Sequence, residues 1–147
     1  MKNLMLSAIT SGFLFASCGG GANEAAEIEQ LREEAIAVHD EIMPQISVFD
    51  RNTLKIDSLL TNLPALKASN PALDTAQTRV ELTALKGRLE EATDAMMDWM
   101  TDFDVDPQGK QASETKTYYE EEVRKVKEMK QLFDEVSKES ADKLAKF

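Results

Sequence analysis

The stretch from Ile28 to Leu63, IEQLREEAIAVHDEIMPQISVFDRNTLKIDSLLTNL, decides the fold. An apolar residue recurs in it at every seventh position, which is the period of a helix with one apolar stripe. The repeat consists of Ile28, Ala35, Ile42, Phe49, Ile56 and Leu63, with Leu31, Val38 and Leu59 three positions after members of it. This pattern predicts a long amphipathic helix over residues 24–62.

Two further helical patterns follow, over residues 71–102 and 113–146. Asn70 is a predicted N-cap with Pro71 at the first helical position, where its missing N–H costs nothing. The predicted buried stripes are Leu82, Leu85, Leu89, Ala92, Met96, Trp99 and Phe103, then Tyr119, Val126, Met129, Phe133 and Val136. Because the breaks at 63–70 and 104–109 are short, we expect an all-α, elongated, antiparallel three-helix bundle over residues 24–147.

Pro44 interrupts the first pattern. Its ring clashes with the carbonyl of Asp40 and removes a helical hydrogen bond, so a kink or a break is expected near residues 39–43. A continuous, kinked helix is favoured because the apolar repeat keeps its phase across Pro44. A break there would give four helices.

The composition excludes several classes of function. The chain has 147 residues, a net charge of −10, one Cys, one His, six Gly and four Pro. So few turn residues disfavour a β-sandwich or barrel, and the acidity argues against nucleic acid as a partner. No zinc cluster, Gly-rich phosphate loop or catalytic triad can be assembled from these residues, so we expect a protein that is not an enzyme.

The N-terminus is typical of a secreted protein. A charged start at Lys2 and an uncharged apolar run over residues 4–15 predict a signal peptide over residues 1–17. Phe15-Ala16-Ser17-Cys18 resembles the lipobox of bacterial lipoproteins, in which the Cys sulfur is acylated and the chain is cut before it. An ordinary signal peptide with an accidental Cys is the alternative. Lipidation of Cys18 implies a membrane-anchored envelope protein, with the outer membrane favoured over the inner by Gly19, and residues 18–23 as a flexible tether.

One level of the bundle collects the unusual side chains. Folding the first two helices about Lys67 sets His39 beside residue 95, and folding the next pair about Asp106-Pro107 sets Met96 beside Thr117 and the two tyrosines. His39, Met43, Met96 and Met100 can then approach one another. Imidazole and thioether ligands suit Cu(I), and the Trp99 ring can cover the cation. In the alternative interpretation, Met96 and Trp99 are ordinary core residues.

Acidic residues near the same level give a weaker signal. Asp94, Asp98 and Asp102 lie near a helix C-terminus, so we expect a compensating cation such as His39, Lys110, Lys116 or a bound ion. The D-x-D-x-D stretch 102–106 resembles the start of a calcium loop, but Pro107 stands where Gly is needed, which favours a solvated acidic turn. His39 and Asp40 are adjacent on a helix and are expected to point apart.

Two motifs carry a family resemblance, namely His39-Asp40-Glu41-Ile42-Met43-Pro44 and Met96-Met97-Asp98-Trp99-Met100. The chain resembles a group of small Bacteroidota lipoproteins that are often labelled viral A-type inclusion proteins. The resemblance implies a secreted, lipid-anchored helical protein and supplies no activity.

Three functions are compatible with these patterns. The leading one is a lipid-anchored envelope module that binds another protein or self-associates. The second is a periplasmic Cu(I)-binding protein that uses His39, Met43, Met96 and Met100. The third is a carrier of an apolar ligand in a cavity around Trp99.

Overall fold

The structure is a computed structural model that describes residues 20–147, and this part of the chain is all-helical. It contains α1 (Gly20–Thr61), α2 (Leu63–Ser69), α3 (Thr75–Asp102) and α4 (Ala112–Leu144). The all-α class is therefore confirmed. The predicted signal peptide and Cys18 lie outside the described residues. None of the helices in residues 20–147 has the length and hydropathy that a bilayer crossing requires.

The first helix is continuous through Pro44. The alternative of a break at this residue is therefore wrong. Pro44 is exposed, while the repeat residues on either side of it, Ile42 and Phe49, are buried and hold both halves of α1 against one core. At 1.5 Å per residue, the 42 residues of α1 extend over about 63 Å.

Three boundaries differ from the predicted ones. Gly20–Asn23, expected in the tether, form the first turn of α1, where the run that includes Ala22, Ala25 and Ala26 favours helix. The predicted break at 63–70 contains α2, because Pro64 suits a first helical turn and Ala and Lys sustain it.

The third difference is the start of α3, which begins at Thr75 instead of residue 71. The carboxylate of Asp74 caps it by accepting a hydrogen bond from the Gln77 N–H at 3.0 Å. Asn70 instead ends α2, and the Lys67 ammonium holds the connection by donating to the carbonyls of Pro71 and Leu73.

One hydrophobic core joins α1, α3 and α4. The seven-residue repeat is buried from Ala35 through Ile56 in α1 and again at Leu63, the first residue of α2. The Phe49 and Phe133 rings stack at 4.9 Å between centroids. The predicted stripes are confirmed, with Phe103 and Met129 half-buried at their edges. The core also includes Val123 and Leu144, which the sequence pattern did not single out.

Polar contacts show the order in which the helices meet. Residues later in α1 contact residues later in α4, since Glu27 pairs with Lys116 and Asn52 bonds to Ser140. Contacts between α1 and α3 run in the opposite order, since Asp57 pairs with Lys86 whereas His39, earlier in α1, contacts Trp99 later in α3.

We predict that Phe49→Ala lowers the free energy of unfolding by about 3–5 kcal/mol, because it removes a ring from the centre of the core. Chemical denaturation followed by circular dichroism measures this value. Leu54→Ala on the same helix is the control, since Leu54 is 69% exposed and its loss costs less than about 0.5 kcal/mol. Equal effects of the two substitutions would contradict the assigned core.

Candidate functional site

A chain of aromatic rings crosses the bundle near the C-terminal end of α3. The Trp99 ring lies 5.7 Å from the His39 ring and 4.6 Å from that of Phe103, measured between centroids. Phe103 is 6.1 Å from Tyr119, which contacts Tyr118 at 5.1 Å. The predicted gathering of the sole His, the sole Trp and both Tyr is therefore confirmed, with Phe103 as the link between them.

The predicted register is shifted. His39 lies beside Trp99, one helical turn beyond residue 95, because α2 lengthens the connection between α1 and α3. Trp99 in turn meets Glu122, whereas the folding arithmetic placed it nearer the start of α4. The first turns of α4 instead lie along the connection that follows α3, where the Tyr119 hydroxyl donates to the Val105 carbonyl at 2.9 Å.

A partly open cavity of about 310 Å³ lies between α1, α3 and this connection. We call it the His39 cavity. Its lining is mostly apolar and includes exposed side chains, with Met100 40% and Val105 55% exposed. The lining residues are Ile36, His39, Asp40, Trp99, Met100, Phe103 and Val105.

His39 is held by its neighbour in sequence. Its Nδ1 lies 2.9 Å from Oδ1 of Asp40, so the expectation that the two side chains point apart is wrong. Adjacent side chains on a helix can meet because Nδ1 is close to the backbone and the short Asp side chain bends toward it. An ionised carboxylate only accepts hydrogen bonds, so this contact places a proton on Nδ1, and in the neutral ring Nε2 is then an acceptor.

That acceptor has no partner. Among the buried side-chain nitrogen and oxygen atoms of residues 20–147, His39 Nε2 is the one without a hydrogen bond. An unsatisfied buried polar group costs about 1–3 kcal/mol, so a donor supplied from outside would be stabilising here.

The four predicted metal ligands do not share one cavity. Met100 lines the His39 cavity together with His39. Met96 is fully buried in the core, and Met43 is half-buried against it, so neither belongs to the cavity lining. Within the described part of the chain, no group of three or more His, Cys, Asp or Glu side chains could hold a metal ion.

The buried carboxylate of Glu122 is a site residue that the sequence analysis missed. It accepts a hydrogen bond from the Trp99 indole N–H at 2.8 Å and one from the Lys125 ammonium at 2.8 Å. The bond to Glu122 raises the pKa of Lys125. A signal was present, because Glu122 lies three residues after Tyr119 and four before Val126, which is a core position of the repeat.

Glu122 lies at a second cavity, of about 480 Å³, on the α4 side of Trp99. Trp99 therefore lines both cavities. The second cavity differs in chemistry from the first, because Asp102, Glu122, Lys125 and Glu128 bring charges to its wall.

The two tyrosines fasten the connection after α3. The Tyr118 hydroxyl accepts a hydrogen bond from the Asp104 N–H at 2.7 Å, next to the bond from Tyr119 to Val105. Burial raises the pKa of both phenols, so they remain neutral donors and acceptors at pH 7. Val105 is thus fixed at the edge of the His39 cavity.

Neither of the two lysines predicted to compensate the acidic residues on α3 pairs with them. Lys116 pairs with Glu27, and Lys110 lies over the Tyr118 ring at 4.4 Å. In the described region Asp94, Asp98 and Asp102 form no ion pair with a basic side chain. In the acidic turn that follows, Asp104 Oδ1 accepts a hydrogen bond from the Asp106 N–H at 3.0 Å.

No protein-family model matches this chain, and comparisons with curated proteins and with solved structures also found no match.

We predict that Glu122→Ala lowers the free energy of unfolding by about 1–3 kcal/mol, because the Trp99 N–H then lacks its acceptor. Glu122→Gln, which retains an acceptor, should have a smaller effect. Glu121→Ala is the control, because Glu121 is exposed and its ion pair with Arg124 at the surface contributes little to stability. Denaturation curves for the three variants that coincide would show that Glu122 does not hold Trp99.

Proposed function

We propose that this protein is a non-enzymatic, lipid-anchored module of the bacterial envelope that binds another protein or self-associates. In this proposal residues 1–17 are a signal peptide, Cys18 carries the acyl chains, and the outer membrane is favoured over the inner. The body is an elongated antiparallel three-helix bundle, an arrangement that the order of contacts between α1, α3 and α4 supports.

The observation that carries the proposal is the His39 cavity with its exposed apolar rim. Ile36, Met100 and Val105 are exposed and line one opening, whereas Leu54 and Val80 are exposed away from it. Apolar side chains grouped around a concave site are typical of binding surfaces, while single exposed ones are ordinary.

Much of the remaining charged surface is satisfied within the chain. Ion pairs link the long helices to one another, with Lys86 to Asp57, Arg88 to Glu139 and Lys127 to Glu34. These faces stabilise the bundle modestly and leave the cavity end as the surface best suited to a partner.

We predict that a photocrosslinking amino acid in place of Val105 gives a covalent adduct with an envelope protein, or with a second copy, in living cells. The same amino acid in place of Leu54 is the control and should give no adduct. Adducts are resolved by electrophoresis and identified by mass spectrometry.

The anchor is tested in the same strain. Cys18→Ser should abolish acylation in the intact mass, move the protein out of the membrane fraction and remove the adduct. An unacylated wild-type protein would contradict the proposed anchor. Position 105 giving no more adduct than position 54 would contradict the proposed binding surface.

Cu(I) binding is a second candidate, favoured by the state of His39. A metal-binding His commonly donates its other ring N–H to a carboxylate, as His39 is positioned to do with Asp40. The free Nε2 and the Met100 thioether at the same cavity are donors that suit Cu(I). Of the other two predicted ligands, Met43 lies four residues after His39 and is half-buried, so it is a further candidate ligand. Met96 is packed in the core.

The Cu(I) candidate is tested in a chain that carries Cys18→Ser, because this substitution removes the sole thiol. We predict that this chain competes with a chromophoric chelator for Cu(I). His39→Ala should weaken this competition by about tenfold or more. Met97→Ala, beside the site but outside its lining, is the matched control. Equal competition by all three proteins would exclude a Cu(I) site at His39.

A further inference from the structure

The surroundings of the His39 cavity are acidic. Asp102 and Asp104 flank Phe103 in the chain, and Asp104 and Asp106 flank Val105, so three exposed carboxylates are sequence neighbours of lining residues, although Asp102 itself lines the second cavity. Within residues 20–147, none of these three forms an ion pair. Asp40 adds a fourth carboxylate to the lining itself.

This charge selects among the possible occupants. A second copy would bring the same carboxylates and a net charge of −10 to the interface, and an anionic lipid surface would be repelled for the same reason. A segment rich in Lys and Arg is complementary, since its cations meet carboxylates that pair with no Lys or Arg side chain of the described chain.

The cavity wall specifies what such a segment inserts. The rings of Trp99 and Phe103 and the Ile36 side chain offer an apolar surface for a flat ring. In the neutral ring with the proton on Nδ1, His39 Nε2 adds one hydrogen-bond acceptor, and this atom has no partner. Phenylalanine would leave this acceptor unpaired, whereas a ring with an O–H or N–H satisfies it.

We infer that the His39 cavity binds a tyrosine or tryptophan side chain from a basic segment of a partner protein, an inference that rests on the proposed function. The ring lies against Trp99 and Phe103, its O–H or N–H donates to His39 Nε2, and flanking Lys or Arg side chains pair with Asp104 and Asp106. Tyr and Trp are the residues that most often anchor protein interfaces. In this inference the ring reaches Nε2 through a change of rotamer of Met100, an exposed and unbranched residue of the cavity lining.

The test uses the full lipidated chain in phosphatidylcholine nanodiscs, which carry no net charge, and short synthetic peptides. The first peptide has one tyrosine between pairs of lysines, the second has phenylalanine in place of tyrosine, and the third has glutamates in place of the lysines. Binding is followed by the fluorescence of Trp99, the sole Trp, excited where tyrosine does not absorb.

We predict that the tyrosine peptide binds about fivefold more tightly than the phenylalanine peptide, which is the effect of one hydrogen bond. The glutamate peptide should not bind detectably. In His39→Phe the ratio between tyrosine and phenylalanine peptides should fall to about one, because the acceptor is gone. Combined Asp104→Asn and Asp106→Asn should weaken both lysine peptides by about threefold or more and reduce their salt dependence.

Leu54→Ser, far from the cavity in sequence and outside its lining, is the matched control and should retain the full ratio. If His39→Phe loses its helical circular dichroism, Asp40→Asn replaces it, since without the carboxylate the imidazole proton is free to move to Nε2 and the ratio should again fall. A ratio of one in the wild type, or a ratio that persists in these variants, would overturn the inference.

The two levels of the proposal fail separately. If position 105 gives adducts but the peptides bind equally well, the proposed binding function stands and the inferred basic aromatic ligand is wrong. Absence of those adducts, with or without peptide binding, would reject the binding module itself.

Discussion

The structure depends on the burial of a single stripe along α1. Four of its residues are essentially inaccessible to solvent, namely Ala35, Ile42, Phe49 and Ile56. A helix in a protein takes most of its stability from the packing of such an apolar face. One neighbouring helix cannot cover a stripe of this width, so α3 and α4 pack on it from two sides.

Near the end of α3 the core that covers this stripe becomes partly polar. Trp99 occupies a core position, but its indole N–H needs an acceptor, and Glu122 on α4 provides a charged one. Burying a carboxylate is costly unless it is bonded, so Lys125 and Trp99 together make Glu122 tolerable. The outcome is a Trp99 ring that is hydrogen-bonded to Glu122 and lines a cavity on each side.

The sequence predicts the core of this fold well and its ends poorly. Apolar spacing identifies the buried faces of all three long helices, because burial of those faces is what the period encodes. The start of α3 was misplaced, since Asn70-Pro71 and Asp74 are both good caps and only the contacts of Lys67 with the connection favour the second. The register was misplaced for a related reason, because the lengths of the connections, including α2, set it.

The sequence predicts which residues come together at the candidate site, but not which partners their side chains have. Spacing on a helix brings His39, Trp99 and Met100 to one level, and this holds in the structure. Spacing does not reveal that Met96 is fully buried in the core, or that Glu122 occupies a core position. Both facts depend on side-chain rotamers and on how the third long helix packs. The proton on His39 Nδ1 likewise follows from a contact with Asp40 that helix geometry disfavours.

The two candidate ligands of the His39 cavity require the same lone pair. A Cu(I) ion bound to Nε2 would leave no acceptor for a tyrosine or tryptophan, and an inserted ring would cover the Met100 thioether that the ion needs. The acidic rim does not separate them, since it attracts any cation. The aromatic wall does, because Trp99 and Phe103 together provide far more apolar surface than one ion can cover, and a ring buries that surface along with the acceptor. A basic aromatic anchor therefore accounts for more of the cavity than a metal ion does.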